Sequence, residues 1–431
     1  MRIHESPQIR LDAVAPAGPR YAFLDGIRGL SAFYVLIHHA AAELDHERLR
    51  GFAHDVAIRL RYGHYAVAIF IVLSGFCLAL PIADDQRARL RGGTLAYLGR
   101  RARRILPPYY AALVFFLAVI AMVPALREPI TPRWAAALPA TTPDVIVSHL
   151  LLVHDFSHAW AGKIDPPMWS IAVEWQIYLL FPLLLIVRRR LGTAAMVVVA
   201  VGLGNLDKVV SALAGVEVFN GTCPWYVGLF ALGAAAAEAA RRPGRSTPWF
   251  VAAAAIGAVA CSAIEYQGAK VRWNDQLFGL AIACALVAFA RAEREAGRRR
   301  RWLAAILESP IALGLGTISY SLYLTHFPLL SWIHGALTPL DLGPGARMWI
   351  LLGAGVPLCL GFAMVFHHLV ERPTSSANRP RQLDAPRLVL GASAESAMVV
   401  AEASNGAVIG LPASSTPSSR ATDFSAASSR A

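Results

Sequence analysis

Charge is scarce in this chain. Asp, Glu, Lys and Arg make up 16% of its 431 residues, while apolar types reach 56% and mean hydropathy is +0.48. Soluble domains carry about 25% charged residues, so an ordinary water-covered globule is excluded. Cysteine is sparse too. Cys77, Cys223, Cys261, Cys284 and Cys359 lie in or beside apolar runs at scattered spacings. With no CxxC pair and no Cys/His framework, a metal site or disulfide scaffold is not expected, and these residues read as small helix hydrophobes. Residues 1–20 lack the basic, apolar, small-residue succession of a cleaved signal, so the first apolar helix is expected to act as an uncleaved anchor. No internal repeat is visible, which counts against transporter folds built from duplicated halves.

What the chain does have is a series of apolar windows of roughly 18–22 residues, each long enough to cross a bilayer as a helix. They fall near 27–43, 64–82, 105–125, 168–187, 193–213, 224–240, 248–264, 274–291, 310–335 and 345–370. The runs are too long and too uniformly apolar for barrel strands, and only helices or closed barrels satisfy backbone groups inside lipid. The expected fold is therefore all-α: a polytopic membrane bundle of about ten transmembrane helices. A net charge of +12 invites a nucleic-acid reading, but the arginines crowd into the loops after even-numbered windows, as in "GRRARRI", "RRR" (188–190) and "RAEREAGRRRR". That is the positive-inside pattern, which puts both termini in the cytoplasm of a multi-pass cell-membrane protein and leaves no role for nucleic acid. Three regions result: a cytoplasmic segment 1–20, an integral domain 21–372, and a Ser/Ala-rich tail 373–431 whose composition reads as disordered. The long outward loop 126–167 is placed to fold over the outer mouth of the bundle.

Inside the windows a few polar residues stand out, and such residues are costly in lipid and usually functional. "DGIRGLSAFYVLIHHA" (25–40) carries Arg28 and, eleven positions on, His39. Eleven residues are about three helical turns, or roughly 16 Å, so the two share a face at different depths, with His38 about a quarter-turn away. A snorkelling arginine and headgroup histidines are the plainer alternative. "GRRARRILPPYY" (99–110) opens the third window, with Arg101 and Arg104 on one side and Pro107 and Pro108 expected near the helix start. Membrane anchoring explains such arginines; a phosphate clamp, which Arg28 could join, is the sharper reading. In "PPMWSIAVEWQIYLLFP" (166–182), Ser170, Glu174 and Tyr178 stack at intervals of four. Glu174 is expected at the depth of His39, partnered by a histidine or a tyrosine hydroxyl, either in catalysis or as a structural node. In "GTISYSLYLTHFPLL" (316–330), Ser319, Tyr323 and His326 form another polar stripe, which can also serve as helix glue. Ser74 and Gly75 of "FIVLSGF" read most simply as a close-packing spot. Two polar layers emerge, suited to a long anionic donor with its phosphates at the arginines and its reactive end near a histidine that takes a proton from a hydroxyl.

Together, "FLDGIRGLSAFYVLIHH", "FIVLSGF", "RRARRILPPYY", "WSIAVEWQIYLLFP" and "SYSLYLTHFP" resemble, in order and spacing, the acyltransferase family 3 membrane proteins, O-acetyltransferases of polysaccharides and related acceptors. The resemblance spans about residues 21–372. It implies transfer of an acyl group, usually acetyl from acetyl-CoA as co-substrate with no permanently bound cofactor, to a hydroxyl of a carbohydrate, glycolipid or other acceptor across the lipid bilayer. The family's arginine, ten residues, then histidine selects Arg28 and His39, with His39 as the essential histidine. Arg101 and Arg104 match its paired arginines, Glu174 its Trp-Ser-x-x-x-Glu glutamate, and Tyr323 and His326 its late helix motif. One departure is "AVAIFI" (66–71), where Ala68 replaces the family's polar residue. The hydrolase-like C-terminal domain of some members is not expected here, since no Gly-Asp-Ser signature is present. The rival reading is a multi-pass transporter or exporter of a sugar or acyl compound.

Overall fold

The computed structural model describes residues 21–42, 49–129, 134–135, 137–215, 223–267, 271–295 and 305–376. These belong to one compact unit that ends at Arg379. The expected N-terminal segment 1–20 and most of the tail lie outside them. The last described helix ends at Ser376, so the first residues assigned to the tail are helical. Among the described residues there are helices and no strands.

A helix occupies each apolar window. In chain order they are α1 (Ala22–Ala42), α2 (Gly51–Arg59), α3 (Gly63–Ala79), α4 (Gly93–Met122), α5 (Pro143–Leu150), α6 (Trp169–Leu203), α7 (Leu206–Ala214), α8 (Tyr226–Arg241), α9 (Thr247–Gln267), α10 (Val271–Ala292), α11 (Pro310–Leu337), α12 (Pro344–Ile350) and α13 (Val356–Phe366). Within α6, Gly192 takes φ +88°, outside helical geometry, and divides the run between the fourth and fifth windows. The two π-helical turns Leu351–Gly355 and His367–Glu371 flank α13 and make one long run of the last window.

Among the described residues, six helical runs are long and apolar enough to cross a membrane: Gly51–Ile82, Gly93–Met122, Pro166–Ala214, Thr247–Ile264, Arg272–Ala292 and Pro344–Thr374. The helices outside that set have physical reasons to be. At 16 residues, α8 is short. Asp25, Arg28, His38 and His39 lower the hydropathy of α1, and serines, threonine and histidines lower that of α11. All three sit at the centre, where α1 packs along α11 and α3, and α8 along α3, α6 and α10. A helix surrounded by protein has no need of a lipid-compatible surface. At the other extreme is the Thr247–Ile264 run, 6% buried, which is apolar on every side and peripheral.

The third window departs from expectation. α4 begins at Gly93, after a left-handed Gly92 (φ +74°), so Pro107 and Pro108 lie in its interior instead of at its start. Proline there removes backbone donors and crowds the preceding turn. Nearby, the Tyr320 hydroxyl donates to the Ile105 carbonyl at 2.9 Å and pins α4 to α11.

The described residues of the 126–167 loop pack onto the bundle. Trp134 is fully buried and stacks on Phe327 at 6.1 Å between ring centroids. His149 and His154 stack at 4.0 Å with rings 6° apart. The His149 Nδ1 lies 2.8 Å from the Val145 carbonyl, to which it donates. Burial pushes His149 down to about 4 and His154 to about 3, because a charged imidazole there would lose its hydration.

Two predictions follow from this packing. A Cβ at Gly75 would overlap the Phe230 carbonyl of α8, and one at Gly233 would overlap the Val72 carbonyl of α3. Gly75→Ala therefore forces the helices apart, at a cost of about 1–3 kcal/mol, read as a lower melting temperature in detergent. An unchanged melting temperature would remove the close crossing. Between pH 6.5 and 4 the unfolded chain takes up protons at His149 that the folded chain refuses, so stability falls on acidification. Buried Asp165, held well above the usual carboxylate range, acts in the opposite sense over the same window. His149→Gln isolates the histidine's share: its melting temperature drops less between pH 7 and pH 5 than the wild type's. An equal drop in both proteins contradicts the assignment.

Candidate active site

The polar residues of the windows converge on two cavities. The first, with about 860 Å³ of empty space, is lined by Arg28, Arg101 and Arg104 together with Ser170, Glu174, Tyr178, Ser319 and Tyr323. Helix α1 supplies Arg28, α4 the other arginines, α6 the glutamate stripe and α11 the serine and tyrosine. Arg28 Nη1 donates to Asp25 Oδ1 at 2.8 Å, one turn back on α1, which aims the guanidinium along the cavity edge. Arg101 Nε is buried and has no hydrogen-bond partner among the described residues. An unmet buried donor costs about 1–3 kcal/mol, so this wall is chemically suited to an anionic ligand.

In the same cavity Glu174 is engaged through one carboxylate oxygen. Its Oε1 accepts from Tyr178 at 2.5 Å and from Ser74 Oγ at 2.8 Å, and the two hydroxyls lie 2.6 Å apart. The Ser170 and Tyr323 hydroxyls are 2.6 Å apart, tying α6 to α11. Ser319 Oγ donates to the Gly316 carbonyl.

The second cavity, with about 950 Å³ of empty space, is lined by His38, His39, His64, His158 and Trp169 on its polar and aromatic side. Val67 and Tyr323 line both cavities, so the two adjoin across that pair. His38 Nδ1 donates to the Leu60 carbonyl at 2.6 Å, while its ring stays 5.0 Å from that of His39, tilted by 55°.

His39 Nδ1 meets His326 Nε2 at 2.8 Å. His326 Nδ1 in turn lies 3.0 Å from the Leu322 carbonyl and 2.9 Å from the Tyr323 carbonyl. Carbonyls only accept, so His326 carries its hydrogen on Nδ1 and presents a lone pair on Nε2. With both rings neutral, His39 donates from Nδ1, and its own lone pair resides on Nε2. The tautomer of a histidine in the second cavity is thereby set by backbone carbonyls of α11.

Each expected site residue finds a place, with one regrouping. Arg28, Arg101, Arg104, Ser170, Glu174, Tyr178, Ser319 and Tyr323 share one cavity; His38 and His39 share the other; His326 lines neither and supports His39. Glu174 does not hold the imidazole: its partners are Ser74 and Tyr178, and His326 orients His39. Arg28 and His39 open on adjoining cavities rather than a single chamber. Sequence reasoning passed over Ser74, whose Gly75 neighbour marked the spot only as a helix crossing, and His64, which opens α3 without any spacing to a partner.

A geometry of this kind has relatives. The chain matches the model of the acyltransferase domain family, acyltransferase family 3, over residues 21–368. Acyltransferase MdmB of Streptomyces mycarofaciens is 28% identical over 173 residues, 39% of this chain and 40% of that protein. The chain thus covers well under two thirds of that relative's length. No solved structure matches it. The family match begins in the helix that carries Arg28 and His39 and ends in the π-helical turn beyond α13, so it takes in both cavities: the chain belongs to the acyltransferase family 3.

Proposed function

We propose that the protein is a multi-pass O-acyltransferase of the cell membrane, with about ten crossings and both termini in the cytoplasm. It moves an acyl group, acetyl in the simplest case, from cytoplasmic acyl-CoA to a hydroxyl of a carbohydrate or glycolipid. The observation that carries this reading is the adjoining pair of cavities, arginines around one and His39 in the other, meeting at Val67 and Tyr323. The family supports acyl transfer, and the MdmB relative is named for that reaction.

In this reading the phosphates of the donor lie against Arg28, Arg101 and Arg104, and its thioester reaches inward past Glu174 to Tyr323. Glu174 keeps the Ser74 and Tyr178 hydroxyls in register beside that path. The acceptor enters the outer cavity. His39 Nε2 removes the proton from its hydroxyl as the oxygen attacks the thioester carbonyl. The tetrahedral adduct then collapses, the C–S bond breaks, and the imidazolium returns the proton to the CoA thiolate. His326 stabilises the imidazolium through the Nδ1 hydrogen bond. Transfer is direct, without an acyl-enzyme.

General-base assistance contributes about 10²–10⁴-fold, so His39→Ala loses that much turnover while keeping the wild-type elution profile. Acetyl-CoA consumption by purified protein supplied with an acceptor measures it, and normal turnover by a well-folded His39→Ala refutes the role. His326→Ala, which frees the tautomer, loses less but still lowers kcat. Arg101→Gln instead raises the KM for acetyl-CoA about ten- to a hundredfold, the 1.5–3 kcal/mol of a charge-assisted hydrogen bond. Labelled acetyl retained on the protein without acceptor would replace direct transfer by a ping-pong route. Movement of a sugar with no acetyl-CoA consumed would mark a transporter instead.

A further inference from the structure

His64 shares the outer cavity with His39, yet the reaction as drawn leaves it idle. It stands in the first turn of α3, and its Nε2 lies 3.0 and 2.9 Å from Oδ1 and Oδ2 of Asp275, in the second turn of α10. Asp275 is completely buried. It also accepts from Trp225 Nε1 at 2.7 Å, and the Tyr226 hydroxyl stands 3.3 Å from His64 Nε2. An ionised carboxylate only accepts, so His64 Nε2 carries a hydrogen and the neutral ring has its lone pair on Nδ1.

The arrangement is lopsided in an informative way. A pair that served only to join α3 and α10 would be expected to bury both partners, because each polar group left in an apolar bundle is costly. Here the carboxylate is sealed in and braced by Trp225, while the His64 side chain stays 31% exposed on the cavity wall. Among the described residues its Nδ1 makes no hydrogen bond. Trp169, half-buried, lines the same cavity. A few fixed polar groups beside aromatic surface are what a pocket uses to orient one small polar ligand.

We propose that His64, locked by Asp275, is an acceptor-binding residue: its Nδ1 takes a hydrogen bond from a second hydroxyl of a polyhydroxylated acceptor, beside the hydroxyl that His39 deprotonates. Trp169 packs against the apolar face of the same sugar ring. The assignment rests on the acyltransferase reading above and adds a specificity element to its outer cavity. It calls for an acceptor with at least two hydroxyls, such as a glycoside, over a simple long-chain alcohol.

The test uses purified full-length protein, acetyl-CoA, and a panel of methyl hexosides with their monodeoxy analogues. No acetyl-CoA consumption by wild type with any member of the panel overturns the acceptor class, and with it both readings. Given turnover, His64→Ala and Asp275→Asn should each raise the glycoside KM about tenfold, the cost of one lost hydrogen bond, with the KM for acetyl-CoA unchanged. One monodeoxy analogue should be about tenfold poorer than its parent for wild type and no poorer for His64→Ala. An unchanged glycoside KM, a fall in kcat alone, or a His64→Ala protein that still discriminates against every deoxy analogue overturns the inference while leaving the acyltransferase reading intact. Should His64→Ala fail to elute as a single species, His64→Gln carries the same comparison.

Discussion

The hydrogen bond from His39 Nδ1 to His326 Nε2 links the two central helices of the bundle at the point where chemistry is proposed. Its strength as an organising contact comes from what lies behind it. His326 is buried and committed to two carbonyls of its own helix, so its free choice of tautomer is gone before it meets His39. A flexible acidic partner would have oriented the ring less rigidly and would have changed its charge balance. A second imidazole, itself fixed by the backbone, gives direction without placing a full negative charge among apolar helices, where such a charge is expensive. The contact also requires α1 and α11 to run closely side by side, which they do along much of their length.

From that constraint the rest of the polar architecture can be understood. Glu174, excluded from the histidine pair, finds two hydroxyl donors at its own depth, Ser74 from α3 and Tyr178 one turn along α6. Glu371 is likewise met by Ser321 Oγ at 2.6 Å and His367 Nδ1 at 2.9 Å. These nodes stitch helices whose outward faces are apolar, and each polar group in them has an internal partner because lipid offers none. Arg101 differs: its Nε is buried without a hydrogen-bond partner among the described residues, and the side chain lines the first cavity. Satisfied groups hold these walls, and the guanidinium of Arg101 among them suits an anionic ligand.

Much of this was legible in the sequence. Helices form at every apolar window, and even the break between the fourth and fifth follows Gly192. The stripes Ser170–Glu174–Tyr178 and Ser319–Tyr323–His326 face inward as helical spacing requires. Local periodicity carries that information, since 3.6 residues per turn fix which side chains share a face. The start of α4 was misplaced because proline spacing argues for a boundary, whereas packing against α11 and the preceding left-handed Gly92 extended the helix upstream. His64 and Asp275 were invisible as a pair, being 211 positions apart.

The sequence by itself determined the helical class, the apolar runs, the family and the set of inward-facing polar residues, because each depends on composition or on intervals within one helix. Tertiary structure alone decided the pairings: His39 with His326 instead of Glu174, Glu174 with Ser74, and His64 with Asp275. It also decided that the arginines and the histidine occupy adjoining cavities rather than one. The rotation and depth of one helix against another are set by how whole surfaces interlock, Gly75 against Phe230 among them, and no interval along a single chain segment encodes that.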